Sequence, residues 1–246
     1  MRIIVIALAG VSLLAATSAQ AQSANDGTGF YMAVNVGVST LSDPDVTYYD
    51  AGGTFGGTGA RDTASAKLDT SSAATFGGSL GYDFGSVRAD IEVNYVKNSI
   101  KSLSFVSVNG STVALTAAQR ADVCDYLEAT PCGGSGNTFT VTGSRVRQLS
   151  AMGNLWLDLP LGNSITPYVG GGIGISGFEV DGEGKGKFAW QLGAGLAIKL
   201  SPGLALTTDY RHRVVSRTNV PFDSASGYQI SSLKTDSITA GLRVTF

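Results

Sequence analysis

In the last ten residues of the chain, SITAGLRVTF, apolar residues alternate with small, polar or charged ones. Apolar side chains occupy one set of alternate positions: Ile238, Ala240, Leu242, Val244 and Phe246. Small, polar or charged residues occupy the other set: Thr239, Gly241, Arg243 and Thr245. A period of two residues predicts a β-strand with one apolar and one polar face. The direction in which the apolar face looks separates a soluble sheet from a barrel that crosses a membrane.

Seven further segments show the same alternation, at residues 29–39, 74–84, 87–96, 149–159, 167–176, 188–200 and 204–214. The connections at residues 85–86, 162–164 and 201–203 are tight turns of Gly, Ser, Asn and Pro. The other connections are long, from about 10 to about 46 residues, within the usual uncertainty of strand ends. Short periplasmic turns and long extracellular loops are typical of an outer-membrane barrel. The sequence therefore predicts an all-β fold, an eight-stranded antiparallel up-and-down transmembrane β-barrel.

Glycine indicates which face of the strands looks inward. It recurs on the polar face, at Gly77, Gly81, Gly170, Gly172, Gly174, Gly193 and Gly195. On a strand that faced water, glycine would contribute neither packing nor solubility. Inside a narrow eight-stranded barrel, small residues leave room for bulky ones. We therefore expect the polar face to line the lumen and the apolar face to contact lipid.

Charged residues also lie on the predicted lumen face, five of each sign. The cations are Arg88, Lys199, Arg211, Arg213 and Arg243. The carboxylates are Asp83, Asp90, Glu92, Asp158 and Asp209. Buried charges are tolerated only when they are paired and hydrogen-bonded. The pattern predicts a lumen charge network in which the two signs neutralise one another.

Aromatic residues fall near both ends of the predicted strands. Those beside the short turns are Phe30, Tyr82, Phe84 and Phe246. Those towards the long loops are Tyr95, Phe188 and Trp190. Two aromatic girdles around an apolar band ~25 Å tall are typical of outer-membrane barrels. This placement favours the membrane interpretation over a soluble barrel.

The N-terminus has the pattern of a secretory signal. Arg2 precedes an apolar stretch at residues 3–16, and Ala19-Gln20-Ala21 offers a cleavage site. The apolar stretch is short for a transmembrane anchor, which needs ~20 residues. We predict a signal peptide at residues 1–21. Residues 22–246 then form one outer-membrane barrel domain with long loops at about 40–73 and 98–143. A net charge of −2 gives no indication of nucleic acid as a partner.

The longest predicted loop contains both cysteines of the chain, Cys124 and Cys132. In an exported protein such a pair predicts a disulfide, with metal ligation and free thiols as the alternatives. Upstream of them, Thr116 and Gln119 have the spacing of a capping box, which predicts a short helix over residues 117–127.

His212 is the only histidine, and its position in the alternation places it on the outward face. A catalytic serine would have to lie within hydrogen-bond reach of it. Ser216, four residues further on, lies about 13 Å away at the rise of a strand. We interpret His212 as structural or interfacial, and we expect no enzyme activity, no cofactor and no metal. The glycine-rich stretch GGGIGIS lacks the spacing of a dinucleotide-binding loop and lies within a strand.

Five segments carry a family resemblance: GFYMAVNVG, VRADIEVNY, ITPYVGGGIGIS, FAWQLGAGLAIKLSPGLALTTDYRHR and ITAGLRVTF. They resemble the OmpA-like, opacity-type family of small outer-membrane β-barrels, a porin-family group of Gram-negative surface antigens. The resemblance covers residues 28–246 and leaves the loops unmatched. It implies a place in the outer membrane, with membrane lipids and the outer-membrane assembly machinery as partners. It also implies that the terminal Phe246 is the signal that this machinery reads.

Two functions fit such a barrel. One is a structural or surface-interaction protein, antigen-like or adhesin-like, whose loops meet a host or environmental ligand. The first loop, DVTYYDAGGTFGGTGARD, has the Tyr, Gly and Asp content of a recognition surface and equally that of a plain flexible loop. The alternative is a small porin-like channel for ions or small solutes. Eight strands leave little free lumen, which favours the first function.

Overall fold

The computed structural model describes residues 28–126, 133–159, 161, 164–180 and 183–246. The predicted signal peptide, Leu127, Cys132 and the turn residues Gly162 and Asn163 lie outside these ranges. Within them, no helix is long and apolar enough to cross a membrane.

In chain order the described residues form fourteen strands and one helix. They are β1 (Gly29–Leu41), β2 (Asp45–Ala51), β3 (Arg61–Thr70), β4 (Ala73–Asp83), β5 (Val87–Val108), β6 (Ser111–Thr112), α1 (Ala117–Tyr126), β7 (Thr138–Thr140), β8 (Arg145–Asp158), β9 (Ile165–Val180), β10 (Glu183–Ser201), β11 (Leu204–Val215), β12 (Thr218–Pro221), β13 (Gly227–Ile230) and β14 (Leu233–Thr245).

Eight of these strands close into a ring. Its order is β1, β4, β5, β8, β9, β10, β11, β14 and back to β1, and every neighbouring pair is antiparallel. The first and last strands close the ring in a register that runs from Tyr31 opposite Thr245 to Leu41 opposite Thr235. The eight predicted strands and the predicted barrel are confirmed.

Side chains along the ring alternate between buried and exposed. In β8, every even-numbered residue from Val146 to Asp158 is buried. Many apolar side chains on the outer face are exposed, and the most exposed of them include Phe30, Ile91, Leu155, Ile173 and Ile238, at 63–69%. A water-soluble monomer rarely exposes so continuous an apolar surface. The apolar face therefore looks outward, as the glycine pattern predicted.

The aromatic residues mark both rims of this apolar band. At the short-turn end, the ring of Tyr82 lies 5.0 Å from that of Phe30 and 4.7 Å from that of Phe84. Towards the long-loop end, Tyr95, Phe188 and Trp190 are all at least 38% exposed. Both predicted girdles are present.

Two of the short turns depend on glycine in the left-handed region. Gly85, between β4 and β5, has φ = 101°, and Gly203, between β10 and β11, has φ = 75°. Residues with a Cβ rarely adopt such angles, so these positions favour glycine.

The long-loop end contains more regular structure than the sequence predicted. β5 continues beyond the ring as far as Val108, and its outer part pairs with β3. From β3 the pairing passes to β2, β13 and β12. We call β2, β3, β12, β13 and residues 100–108 of β5 the loop sheet. β2 and β3 lie in the first predicted long loop, residues 100–108 lie in the second, and β12 and β13 lie in the loop between β11 and β14.

The predicted helix and its cap are present in the second long loop. α1 begins at Ala117, the N–H of Thr116 donates to Gln119 Oε1 at 3.0 Å, and the N–H of Gln119 donates to Thr116 Oγ1 at 3.3 Å. This reciprocal pair is the capping box that the spacing indicated.

The loop sheet folds over the mouth of the barrel. Inward-facing apolar residues of the ring meet three residues of the loop sheet in one buried cluster. The ring supplies Leu41, Val146, Met152, Ala189, Val215 and Leu233, and the loop sheet supplies Val46, Ile100 and Ile230. We call this cluster the apolar lid. Its apolar side chains pack together at the long-loop end of the lumen.

Candidate functional site

The lumen below the apolar lid contains the predicted charge network. At its short-turn end, Arg88 of β5 binds Asp158 of β8. The guanidinium donates through Nε and Nη2 to both carboxylate oxygens at 2.8–3.0 Å, and both side chains are buried. The guanidinium carbon of Arg88 also lies 4.7 Å from the centre of the Tyr168 ring. Arg243 Nη1 lies 4.0 Å from Asp158 Oδ2, which brings a second cation to the same carboxylate.

Glu92 is the centre of the network. This carboxylate projects from β5 and is 1% exposed. It pairs with Arg211, and Arg213 Nη2 lies 3.5 Å from its Oε1. Gln191 Nε2 and Asn154 Nδ2 donate to its Oε2 at 3.1 and 3.0 Å. One carboxylate thus holds side chains from β8, β10 and β11 together across the lumen.

Asp90 and Asp209 are stabilised mainly by neutral donors. Asp90 accepts hydrogen bonds from the Tyr31 hydroxyl at 2.7 Å and from Trp156 Nε1 at 3.0 Å. Asp209 accepts one from the Tyr168 hydroxyl at 2.6 Å. Phenol hydroxyl and indole N–H groups therefore supply hydrogen bonds to these two carboxylates, which have fewer cations nearby than Glu92 has.

Arg213 connects the network to the layer of neutral side chains above it. Its guanidinium donates to Gln191 Oε1 at 2.8 and 3.0 Å. It also donates to Asn94 Oδ1 and to Ser150 Oγ, each at 3.1 Å. Because Arg213 belongs to β11, these contacts link it to three other strands of the ring.

The lumen glycines leave space for the large side chains beside them. A Cβ added at Gly81 would lie 2.8 Å from Tyr31 Cζ, and one at Gly193 would lie 2.9 Å from Trp156 Cη2. A small residue on one strand therefore accommodates an aromatic ring from another strand. This explains why glycine follows the lumen face.

Three details of the predicted lumen differ in the structure. Lys199 is exposed at the short-turn end of β10, beside a bulge between Lys199 and Ser201, so it does not join the network. Met152 and Trp156, which interrupt the polar face of β8, are lumen residues that are 1% and 3% exposed. Their position in the alternation, shared with Asn154, was the signal that could have placed them there.

Free space within the network is small. A cavity of about 20 Å³ lies beside Tyr31, Arg88 and Trp156. This is room for about one water molecule. The side chains of the network therefore fill the part of the lumen that they cross.

His212 lies on the outer face, as predicted. Its Nδ1 is 2.8 Å from Asp236 Oδ1, and the Tyr210 hydroxyl donates to the same oxygen at 2.6 Å. The ring of Trp190 lies 6.0 Å from that of His212. The arrangement combines polar and aromatic groups at the long-loop rim of the apolar band.

Of the remaining predicted residues, the structure describes Cys124 and Phe246 but not Cys132. Cys124 is buried near the end of α1, whereas Cys132 lies outside the described residues, so the disulfide stays a prediction. Phe246 is 65% exposed, and its N–H donates to the carbonyl of Phe30 at 2.8 Å. No group of three or more potential metal ligands lies within the described ranges.

The carboxylate of Asp62 organises the tip of the first long loop, residues 42–72. Its Oδ2 accepts hydrogen bonds from the backbone N–H groups of Gly57 at 3.0 Å and Phe55 at 2.6 Å. These donors, that of Gly57 above all, hold the pKa of Asp62 below its ordinary value because they stabilise the ionised form.

We expect acid to loosen this loop tip. A carboxyl group with a lowered folded pKa stabilises the fold fully above its unfolded pKa, about 3.9, and loses this contribution as the pH falls through the folded pKa. The amide NMR shifts of Phe55 and Gly57 should stay constant from neutral pH down to about pH 4 and move together below it.

An Asp62→Asn variant should lack this transition. Asp69→Asn, which changes an exposed carboxylate on the same strand, should keep it. A wild-type transition centred above pH 4 would contradict the lowered pKa.

Comparison with known proteins agrees with this geometry. The solved Neisserial surface protein A (NspA) is similar to this chain at 13% identity and a TM-score of 0.53, covering 89% of this chain and 97% of that one. OprG from Pseudomonas aeruginosa has 13% identity and a TM-score of 0.49, with the same coverage of both chains. The outer membrane protease OmpT from Escherichia coli has 9% identity and a TM-score of 0.45, covering 88% and 97%. At 13% identity the likeness to NspA concerns the fold alone.

No curated protein sequence matches the chain significantly. Residues 9–246 match the family described as outer membrane protein beta-barrel domain. The match spans the closed ring, its outward apolar band and both girdles. The chain therefore belongs to the family of outer membrane β-barrel proteins and resides in the outer membrane.

Proposed function

We propose that the protein is a sealed barrel that anchors a folded extracellular loop sheet for surface interaction, in the manner of a surface antigen or adhesin. The observation that carries this proposal is the filled lumen. The charge network around Glu92 occupies its middle, and the apolar lid closes its extracellular end. An ion that entered from outside would first have to displace the lid and then compete with buried ion pairs.

The extracellular surface supports a binding role. Phe222 is 60% exposed, and Phe55 is 39% exposed. The guanidinium of Arg61 lies 4.5 Å from the centre of the Tyr49 ring. Aromatic and arginine side chains are enriched at protein interfaces, and the aromatic rings bury a large area at a modest cost in conformational entropy.

We infer that His212 has no catalytic role. The third member of its hydrogen-bonded group is the hydroxyl of Tyr210, and Asp236 accepts from both residues. A serine nucleophile would have to stand where Tyr210 does for this group to resemble a hydrolase site. We propose that the group instead fixes polar side chains at the outer rim.

The outer surface also supports two partners. Membrane lipids would cover the exposed apolar band, and the assembly machinery would read the final strand. Phe246 suits that recognition because its side chain projects outward while its backbone is fixed to Phe30.

Single-channel recording tests the proposal. We expect the refolded mature chain to leave a planar lipid bilayer silent, with folding verified by its heat-dependent shift on a gel. A variant with Glu92→Ala, Arg211→Ala and Arg213→Ala, if it passes the same folding check, should stay silent while the apolar lid is intact. It should conduct when Val46→Ser and Ile230→Ser open the lid as well. Reproducible openings of the wild-type protein would overturn the sealed barrel and support the channel.

A further inference from the structure

A polar cleft opens where the first and last long loops leave the barrel. Its volume is about 450 Å³, within the range that small-molecule sites occupy, about 300–1,000 Å³. All nine residues that line it are polar or charged. Typical ligand sites are mainly apolar, so this lining fits a strongly hydrophilic ligand. We call it the rim cleft.

Hydrogen bonds hold the two walls of the rim cleft together. The N–H of Ser42 donates to the carbonyl of Lys234 at 2.9 Å. The N–H of Asp45 donates to Ser231 Oγ at 3.0 Å, and the N–H of Ser231 donates back to the carbonyl of Asp45 at 2.9 Å. Since the first and last loops are joined in this way, the cleft is formed before a ligand arrives, which lowers the entropic cost of binding.

Charges of opposite sign line different parts of the cleft. Asp43 and Asp45 belong to the first loop, whereas Arg217 and Lys234 belong to the last loop and the start of β14. All four side chains are exposed, and none forms an ion pair with another residue in the described part of the chain. Opposite charges that share a cleft without pairing can both be satisfied by a ligand that carries both signs.

The cleft lies at the membrane surface. Ser42 and Lys234 directly adjoin the last pair of the closing strands, Leu41 and Thr235. On the outer face of the same end, Trp190 and Tyr210 are 38% and 49% exposed, as expected at the level of the lipid head groups. A zwitterionic head group is therefore within reach.

We propose that the rim cleft binds a phosphoethanolamine group, with its ammonium at Asp43 and Asp45 and its phosphate at Arg217 and Lys234. Carboxylates match an ammonium donor, and arginine matches phosphate oxygens in a bidentate geometry. Thr47 and Gln229, which face each other across β2 and β13, supply further hydrogen bonds from the cleft floor. The inference rests on the proposed loop-mediated function and names a ligand for it.

Titration of the full-length folded protein in an uncharged glycoside detergent tests the inference. The probes are O-phosphoethanolamine, ethanolamine alone and inorganic phosphate alone, followed by the NMR shifts of Gln229 and Ser231. We expect saturable binding of phosphoethanolamine, at least 10-fold tighter than either half. No saturation, or equal binding of the two halves, would overturn the inference.

Paired variants separate the two sets of charges. Asp43→Asn with Asp45→Asn, and Arg217→Gln with Lys234→Gln, should each weaken phosphoethanolamine binding at least 10-fold. The matched control, Asp69→Asn with Arg145→Gln, removes two exposed charges outside the cleft and should bind like the wild type. An equal loss in the control would contradict the assigned site.

A lipid experiment identifies the source of the group. The protein is placed in nanodiscs of phosphatidylethanolamine and phosphatidylglycerol, and lipids retained after mild detergent extraction are measured. Retention of phosphatidylethanolamine by the wild type, but not by the cleft variants, assigns a lipid head group. Binding of free phosphoethanolamine without such retention assigns a soluble ligand. Failure of both overturns the inference yet leaves the sealed barrel standing, since only conductance tests the seal.

Discussion

The Glu92→Ala variant is expected to lose about 3–5 kcal/mol of folding free energy, because it leaves buried cations without their partner. Glu92 pairs with both Arg211 and Arg213. Both guanidiniums would stay in a lumen with almost no solvent. The donors on Gln191 and Asn154 would lose an acceptor as well.

Urea-dependent refolding into lipid vesicles, followed by tryptophan fluorescence, measures this loss. Glu179→Ala is the matched control. Glu179 pairs with Arg147 at 2.6 Å, but the two side chains are 39% and 43% exposed, so its removal should cost less than about 1 kcal/mol. Equal losses in the two variants would mean that the lumen network adds no more than a surface ion pair.

The Gly195→Val variant is expected to lose at least about 3 kcal/mol, at the upper end of the cost of overpacking. A Cβ at this position would lie 2.6 Å from Tyr168 Cζ and 2.5 Å from the carbonyl oxygen of Thr208. The ring cannot simply withdraw, because its hydroxyl is bound to Asp209. The backbone of the neighbouring strand would have to move as well.

Gly153→Val provides the comparison on the outer face. The nearest atom to a Cβ at Gly153 is the carbonyl oxygen of Ile173 at 3.8 Å, an ordinary contact. Valine there should be neutral or stabilising, since it suits both a strand and a lipid contact. The heat-dependent gel shift scores folding for both variants. Normal folding of Gly195→Val would show that the lumen can expand around Tyr168.

The sequence was sufficient for the barrel but not for the contacts within it. The alternation of apolar and polar residues located all eight ring strands. The position of Arg88, Glu92 and Arg213 in that alternation placed their side chains inside the barrel. The alternation cannot say which inward side chains meet, because a contact such as that of Arg213 with Asn94 spans 119 positions of the chain. Nor could it identify the loop sheet, since β12 and β13 have only four residues each and lack a measurable period.

Met152 shows a different limit. As an apolar residue on the polar face of β8, it contradicts a simple two-class pattern. In the structure it is a buried lumen residue of the apolar lid, while Ser150 and Asn154, two positions away on either side, are buried polar residues of the same face. A periodicity of two describes which side a residue faces, but not whether an inward residue is polar or apolar.

The pairing of Glu92 with Arg211 has a consequence for biogenesis. The two residues lie on β5 and β11, which are not neighbours in the ring, and β1 must meet β14 before the ring is complete. A nascent, incompletely curled sheet would present these two charges singly to the hydrocarbon, at a cost of several kcal/mol each. This cost disfavours a partly inserted sheet. Closure of the ring, the last step of membrane entry, is therefore coupled to the pairing of the lumen charges. We therefore expect such a barrel to pass from the periplasm into the bilayer as a cooperative unit.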